Sequence, residues 1–141
     1  MKIISSNCSV SVLIGLMALI SAESAFAQEG DPKRGEIVFQ QCSICHQVGP
    51  TATNGIGPNL TGVLSRKMGS VADFSYDTGL QKASMAGISW DKEKIFSWLR
   101  DPQSYIKSVV SDESVTTKMT VKVSDEQARR DVIAYIATFS K

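Results

Sequence analysis

The amino-acid sequence predicts an all-α protein of four or five helices joined by long loops. Three observations predict it. Apolar residues recur at helical spacing around 92–99 and again over 128–139. The stretch 48–72 is rich in Gly, Pro, Asn, Ser and Thr, which is loop composition. Strand signals are nearly absent: Met119, Val121 and Val123 alternate, but one short strand would have nothing to pair with.

The elements follow in chain order. Lys2, an apolar stretch over 10–22 and Ala25-Phe26-Ala27 read as an export leader cleaved after Ala27, leaving residues 28–141 as one domain. The alternative is an uncleaved leader acting as a membrane anchor. Against it, the apolar stretch is shorter than the ~20 residues that cross a bilayer, and Glu23 ends it. Cys8 precedes the apolar stretch and reads as incidental.

Asp31 is a good N-cap and Pro32 suits the first helical position, so a helix should run from there into Cys42-Ser43-Ile44-Cys45-His46 and deliver the cysteines, with Gly35, Val38 and Phe39 on its inner side. The loop around Gly57-Pro58-Asn59-Leu60 comes next. A short helix is expected over 78–86, closed by Gly87. Ser89 should cap the next helix, in which Ile95, Trp98 and Leu99 are spaced for burial and which Pro102 should stop. Residues 104–123 read as extended loop. Ser124 with Gln127 suggests a capping box for the last helix, whose Ala128, Val132, Tyr135, Ile136 and Phe139 form one stripe.

Chemistry concentrates in Cys42-Ser43-Ile44-Cys45-His46. Cys-x-x-Cys-His is the pentapeptide to which haem is covalently attached: two thiols three residues apart can add to the two porphyrin vinyl groups, and the adjacent imidazole can ligate the iron. A thioredoxin-like dithiol needs a surrounding βαβ pattern, which is missing here. A structural zinc site needs about four Cys or His ligands. His46 is the only histidine and Cys8 the only other cysteine, so the ligands for such a site are lacking. With both remaining cysteines inside the motif, an exported chain has no disulfide framework either. Fifteen basic against fourteen acidic residues give a net charge of +1, with no basic stripe or aromatic stacking platform, which argues against nucleic acid as a partner.

Iron held by one imidazole has a sixth position to fill, and methionine is a neutral sulfur donor that raises the potential. Beyond the leader the candidates are Met68, Met85 and Met119. Met119 lies on non-helical chain just before the last helix, where a loop could bring sulfur to the iron. Met85 within a helix and Met68 after Arg66-Lys67 read as packing or surface.

With Gly35 and Phe39 ahead of the haem motif, Gly57-Pro58-Asn59-Leu60, Arg66-Lys67, Phe74-x-Tyr76, Trp90, Thr117-Lys118-Met119 and Asp131-Val132-Ile133-Ala134-Tyr135, the chain resembles the class I cytochrome c family. Its long loops make it similar to the bacterial cytochrome c2 branch. The resemblance implies a cytochrome c fold wrapped around one covalently bound haem c. It implies Cys42 and Cys45 as thioether anchors, His46 as proximal and Met119 as distal iron ligand, and the Pro58 carbonyl as acceptor for the outer N–H of His46. Arg66, Tyr76 and Trp90 resemble the residues that hold the propionates, and Gly35 the small residue where first and last helices cross beside Phe39 and Tyr135. There are two departures. The loop 107–116 is longer than in the mitochondrial form and lacks proline, and Trp98 stands where many relatives have a tyrosine whose hydroxyl approaches the methionine sulfur.

The function so implied is that of a soluble, monomeric, periplasmic one-electron carrier of the respiratory-chain type, not an enzyme. Its partners would be membrane or periplasmic redox proteins: a cytochrome bc1-type donor and, as acceptor, a terminal oxidase, a reductase or a reaction centre. Lys118 and Lys122 are candidates for steering such partners. Two alternatives are a dedicated haem subunit or electron acceptor of a periplasmic dehydrogenase, and a ligand-binding or peroxidase-type protein with a displaceable methionine. The latter lacks a second histidine to move protons, and no carboxylate flanks Met119 in the sequence.

Overall fold

An aspartate stands at the start of every helix among the described residues, which are 29–140 of the computed structural model. The leader, with its cleavage site and Cys8, lies outside the described residues. Five helices are present within them: α1 (Pro32–Phe39), α2 (Thr78–Met85), α3 (Lys92–Arg100), α4 (Pro102–Val110) and α5 (Glu126–Ala137). Asp31, Asp77, Asp91, Asp101 and Asp125 cap them, each carboxylate accepting from first-turn backbone N–H groups. Such a carboxylate satisfies otherwise orphaned donors and complements the positive end of the helix dipole. The caps expected at Ser89 and Ser124 are therefore displaced to Asp91 and Asp125, and Gln127 bonds Asp131 rather than closing a capping box.

A larger correction concerns 104–123, read as extended loop. Pro102 ends nothing; it opens α4 at the first helical position, capped by Asp101, whose Oδ1 accepts from Ser104 N–H at 3.0 Å. Pro102, Tyr105, Ile106, Val109 and Val110 fall at i, i+3, i+4, i+7 and i+8, and Pro102 and Ile106 are buried. Beyond α4 the chain is non-helical up to α5. Among the described residues the only β-type pairing is an isolated bridge between Lys67 and Ser89.

The frame is the crossing of α1 on α5. A Cβ at position 35 would lie 2.0 Å from the Asp131 carbonyl oxygen, so only glycine lets the two backbones approach this closely. Phe39 and Tyr135 pack at the same contact with centroids 5.3 Å apart. Asp131, buried within it, accepts from both Arg34 Nε (2.8 Å) and Nη2 (3.0 Å), from Asp31 N–H (2.8 Å) and from Gln127 (2.9 Å). The Arg34 guanidinium is the main reason its carboxyl is held down at about 2. Arg129 is also buried, its guanidinium 4.4 Å from the Phe96 ring centroid and donating to the carbonyls of Val123 (2.7 Å) and Ser124 (2.9 Å). It ties α5 to α3 and to the segment before it. Phe39, Met68, Trp98, Leu99, Ile106 and Ile136 belong to one core cluster, with Met68 fully buried; Met85 is 82% exposed.

Candidate haem site

Helix α1 does not run into the cysteine motif as expected: it ends at Phe39, and the chain continues through the cysteine pair as hydrogen-bonded turns. Cys42 and Ser43 N–H both reach the Phe39 carbonyl at 2.8 Å, and His46 N–H reaches the Cys42 carbonyl at 2.9 Å. Cys42, Cys45 and His46 thus come from one compact turn, all three partly buried. Burial, with Cys45 adding, pushes the Cys42 thiol up to about 11. That is the protonated thiol of an apolar setting, unlike the low-pKa thiolate of a redox dithiol.

His46 is held from behind. Its Nδ1 lies 2.8 Å from the Pro58 carbonyl oxygen, so that nitrogen carries the proton and Nε2 keeps its lone pair. Burial lowers the imidazole's basicity against the opposing pull of the Pro58 bond, favouring the neutral, ligating form. Gly57 makes room: a Cβ there would stand 2.3 Å from the ring's Cε1. The Gly57 N–H bonds the Cys45 carbonyl at 2.8 Å, tying this loop to the cysteine turn.

Met119 is partly buried on the segment between α4 and α5, packed against the core cluster. The indole N–H of Trp98 donates to its sulfur, 3.0 Å away. The hydroxyl that the resemblance associates with this position is therefore replaced by an indole, which is a donor only. Trp98 in turn packs edge-on against Trp90 (5.3 Å) and Tyr105 (6.2 Å).

Arg66, Tyr76 and Trp90 are brought to one region. Trp90 N–H bonds the Arg66 carbonyl at 2.9 Å, and the Arg66 guanidinium donates to the carbonyls of Thr61 and Asn59, each at 2.9 Å. Burial lowers the Arg66 pKa, opposed by Tyr76; burial raises that of Tyr76, opposed by its bond from Val71 N–H and by the Arg66 charge. Two of five guanidinium donors are engaged by carbonyls, so donor capacity remains for an anionic group.

Three contributors were not visible in the sequence. Asp77 and Gln103 bond the chain at 115–118, and Thr78 bonds Thr116 N–H. The absence of a carboxylate beside Met119 holds along the chain but not in space, since Asp77 bonds Lys118 N–H at 2.9 Å. Of the steering lysines, Lys122 is paired with Asp101 at 2.6 Å, and the Lys118 ammonium bonds the Ser75 carbonyl at 3.0 Å.

The donor set suits a haem. Two thiols, a neutral imidazole fixed through one nitrogen and a half-buried thioether are what covalent attachment and low-spin ligation use. Leu60, Leu64, Trp90, Tyr105 and Met119 pack on the core while keeping part of their surface uncovered, an apolar lining that a porphyrin requires. Among the described residues no group of three or more His, Cys, Asp or Glu side chains could hold a metal ion by itself.

A short helix leading into Cys-x-x-Cys-His, a closing C-terminal helix crossing it at glycine, and a methionine on the segment between define a class I cytochrome c. The chain is 43% identical to cytochrome c2 iso-1 of Rhodospirillum centenum over 80% of its length and 99% of that protein, and 39% identical to a cytochrome c2 of Rhodopseudomonas palustris over 84% and 86%. The structure of cytochrome c2 from Rhodospirillum centenum superposes with a TM-score of 0.75 at 41% identity, covering 79% of this chain and all of that one. No protein-family model matches. The chain belongs to the cytochrome c2 family, with one covalent haem c as its cofactor and electron transfer as its function.

Proposed function

We propose that residues 28–141 act as a periplasmic one-electron shuttle after removal of residues 1–27, with haem attached through Cys42 and Cys45 and iron ligated by His46 and Met119. One observation carries the axial assignment: the two candidate donors are each oriented by a hydrogen bond that leaves a lone pair free. His46 is fixed by Pro58 and Met119 by Trp98. When bound, the haem supplies a ferrous–ferric couple. The protein's part is to keep both donors in place, so that little reorganises when an electron passes. Pro58 holds the imidazole plane and its tautomer. Trp98 draws density from the Met119 sulfur, which favours the ferrous state. Arg66, Tyr76 and Trp90 offer donors to propionate groups that would otherwise be costly to bury.

An electron carrier, and not an enzyme, is the reading these residues support. His46 is committed on the proximal side, and the carboxylate near Met119, Asp77, is occupied by three donors. No helix of the described residues is long and apolar enough to cross a membrane. Partners would be redox proteins met in brief encounters of small area, the low end of interface size. With Lys122 neutralised by Asp101, long-range steering by that lysine is weak.

The test is Met119→Ala. Haem should remain covalently bound, the reduction potential should fall, and ferrous iron should bind carbon monoxide that the parent excludes. A variant that keeps the parent's low-spin spectrum overturns the distal assignment.

A further inference from the structure

We infer that Asp77 is a positioning residue for Met119, clamping the chain that carries the sulfur and thereby setting how readily the iron opens on that side. This rests on the reading of Met119 as the distal ligand. Residues 115–119 make one backbone bond to the rest of the chain, from Gly79 N–H to the Thr116 carbonyl (3.1 Å), and apart from the Trp98 bond to the Met119 sulfur are otherwise held chiefly by side chains at the start of α2 and in α4. Gln103 accepts from Thr117 N–H (3.1 Å) and donates to the Val115 carbonyl (2.9 Å); Thr78 Oγ1 accepts from Thr116 N–H (3.1 Å). These are bonds between neutral groups, and they act two or more residues from the sulfur. Asp77 acts closer. Its Oδ2 accepts from Lys118 N–H (2.9 Å) and from the Thr117 hydroxyl (3.2 Å), and that same hydroxyl oxygen accepts from Met119 N–H (3.3 Å).

The two carboxylate oxygens divide their work. Oδ1 caps α2 by accepting from Leu80 N–H at 3.0 Å, while Oδ2 serves the methionine segment alone. Bonds to an ionised acceptor are roughly twice as strong as neutral ones. A carboxylate at a helix cap therefore anchors a segment 41 residues away in sequence, and ties it to the first turn of α2. A cap by itself would need only one oxygen.

Asp77→Asn separates the roles. Asparagine caps helices as well as aspartate does, so Oδ1 keeps its bond to Leu80. The second oxygen becomes an amide nitrogen facing the Lys118 N–H, donor against donor. The holoprotein in the ferric state is mixed with imidazole, whose binding to iron waits on departure of the Met119 sulfur. Binding should be roughly tenfold faster or more in Asp77→Asn, the range expected for one lost charge-assisted bond. Helical circular dichroism should be unchanged, and Asp91→Asn, the same exchange at the α3 cap, should leave the rate at the parent's value. Thr117→Val, which removes the hydroxyl link, should also accelerate binding and serves if Asp77→Asn accumulates poorly. Parent-like rates in both Asp77→Asn and Thr117→Val overturn the inference. If Met119→Ala opens the iron while these two do not speed binding, the clamp falls and the ligand assignment stands; if Met119→Ala leaves the iron closed, the ligand assignment itself falls.

Discussion

The two sides of the haem site are built in opposite ways. On the His46 side the two thiols and the imidazole lie within five residues, on turns bonded to the end of α1, and the Pro58 carbonyl that fixes the ring is twelve residues away. On the Met119 side one sulfur is placed by Trp98, 21 residues distant, and its segment by Gln103 and Asp77, 14 to 41 residues distant. Local turns make the first side an almost self-contained unit. The second exists only once α2, α3 and α4 have assembled, so it is the side that should yield first to mutation or to a competing ligand.

Breaking the local side should have the largest effect. His46→Ala removes the proposed proximal ligand, which no other histidine can replace, and the expected result is failure to accumulate coloured protein, read by visible spectrum and by haem staining after denaturation. A stable low-spin product would show that the two sides do not differ as described. Next comes the frame that carries the local side. Gly35→Ala places a methyl group against the Asp131 carbonyl, and overpacking of this kind should cost about 3 kcal/mol in denaturant unfolding of the holoprotein. The spectrum of the folded fraction should be unchanged.

A smaller effect is expected from Asp131→Asn, about 1 kcal/mol at neutral pH because the exposed Arg34 partner is screened by solvent. The sign with pH comes from the depressed carboxyl. Its stabilisation is full above the ordinary carboxylate range and disappears as pH falls toward about 2. The parent should therefore lose stability over that interval more steeply than the variant, which unfolding midpoints measured across the range would show. The smallest effect sharpens the comparison on the distal side. Trp98→Phe removes the N–H donor to the Met119 sulfur and should lower the potential by less than about 1 kcal/mol, or roughly 40 mV for a one-electron couple. An unchanged potential would mean that the indole only packs.

The same division decided how much the chain discloses on reading. Cys42, Cys45 and His46 are recognisable because their chemistry needs one short spacing, whereas the α1–α5 crossing at Gly35, Phe39 and Tyr135 is legible only through the resemblance to the cytochrome c family, since nothing local marks which helices meet. Helix starts were harder. Asp31-Pro32 announces α1, yet the same pair at Asp101-Pro102 opens α4, where a stop was expected; the proline ring permits either outcome, and the apolar spacing of Tyr105, Ile106 and Val109 decides for a helix. Ser89 and Ser124 are plausible caps beaten by Asp91 and Asp125, whose charges also meet the helix dipole. Asp77, Gln103 and Trp98 carry no local mark of their second task. An oxygen, an amide and an indole act on Met119 only because tertiary packing delivers them there.

The crossing of α1 on α5 also orders events in time. Gly35 meets Asp131 and Phe39 meets Tyr135, so the helix leading to the two thiols lacks its partner until the far end of the chain is present. A polypeptide delivered amino end first would present Cys42 and Cys45 before α5 is there to pack on α1. Closure that came late would leave the two sulfur atoms reachable while a bulky flat ring is brought to them and bonded.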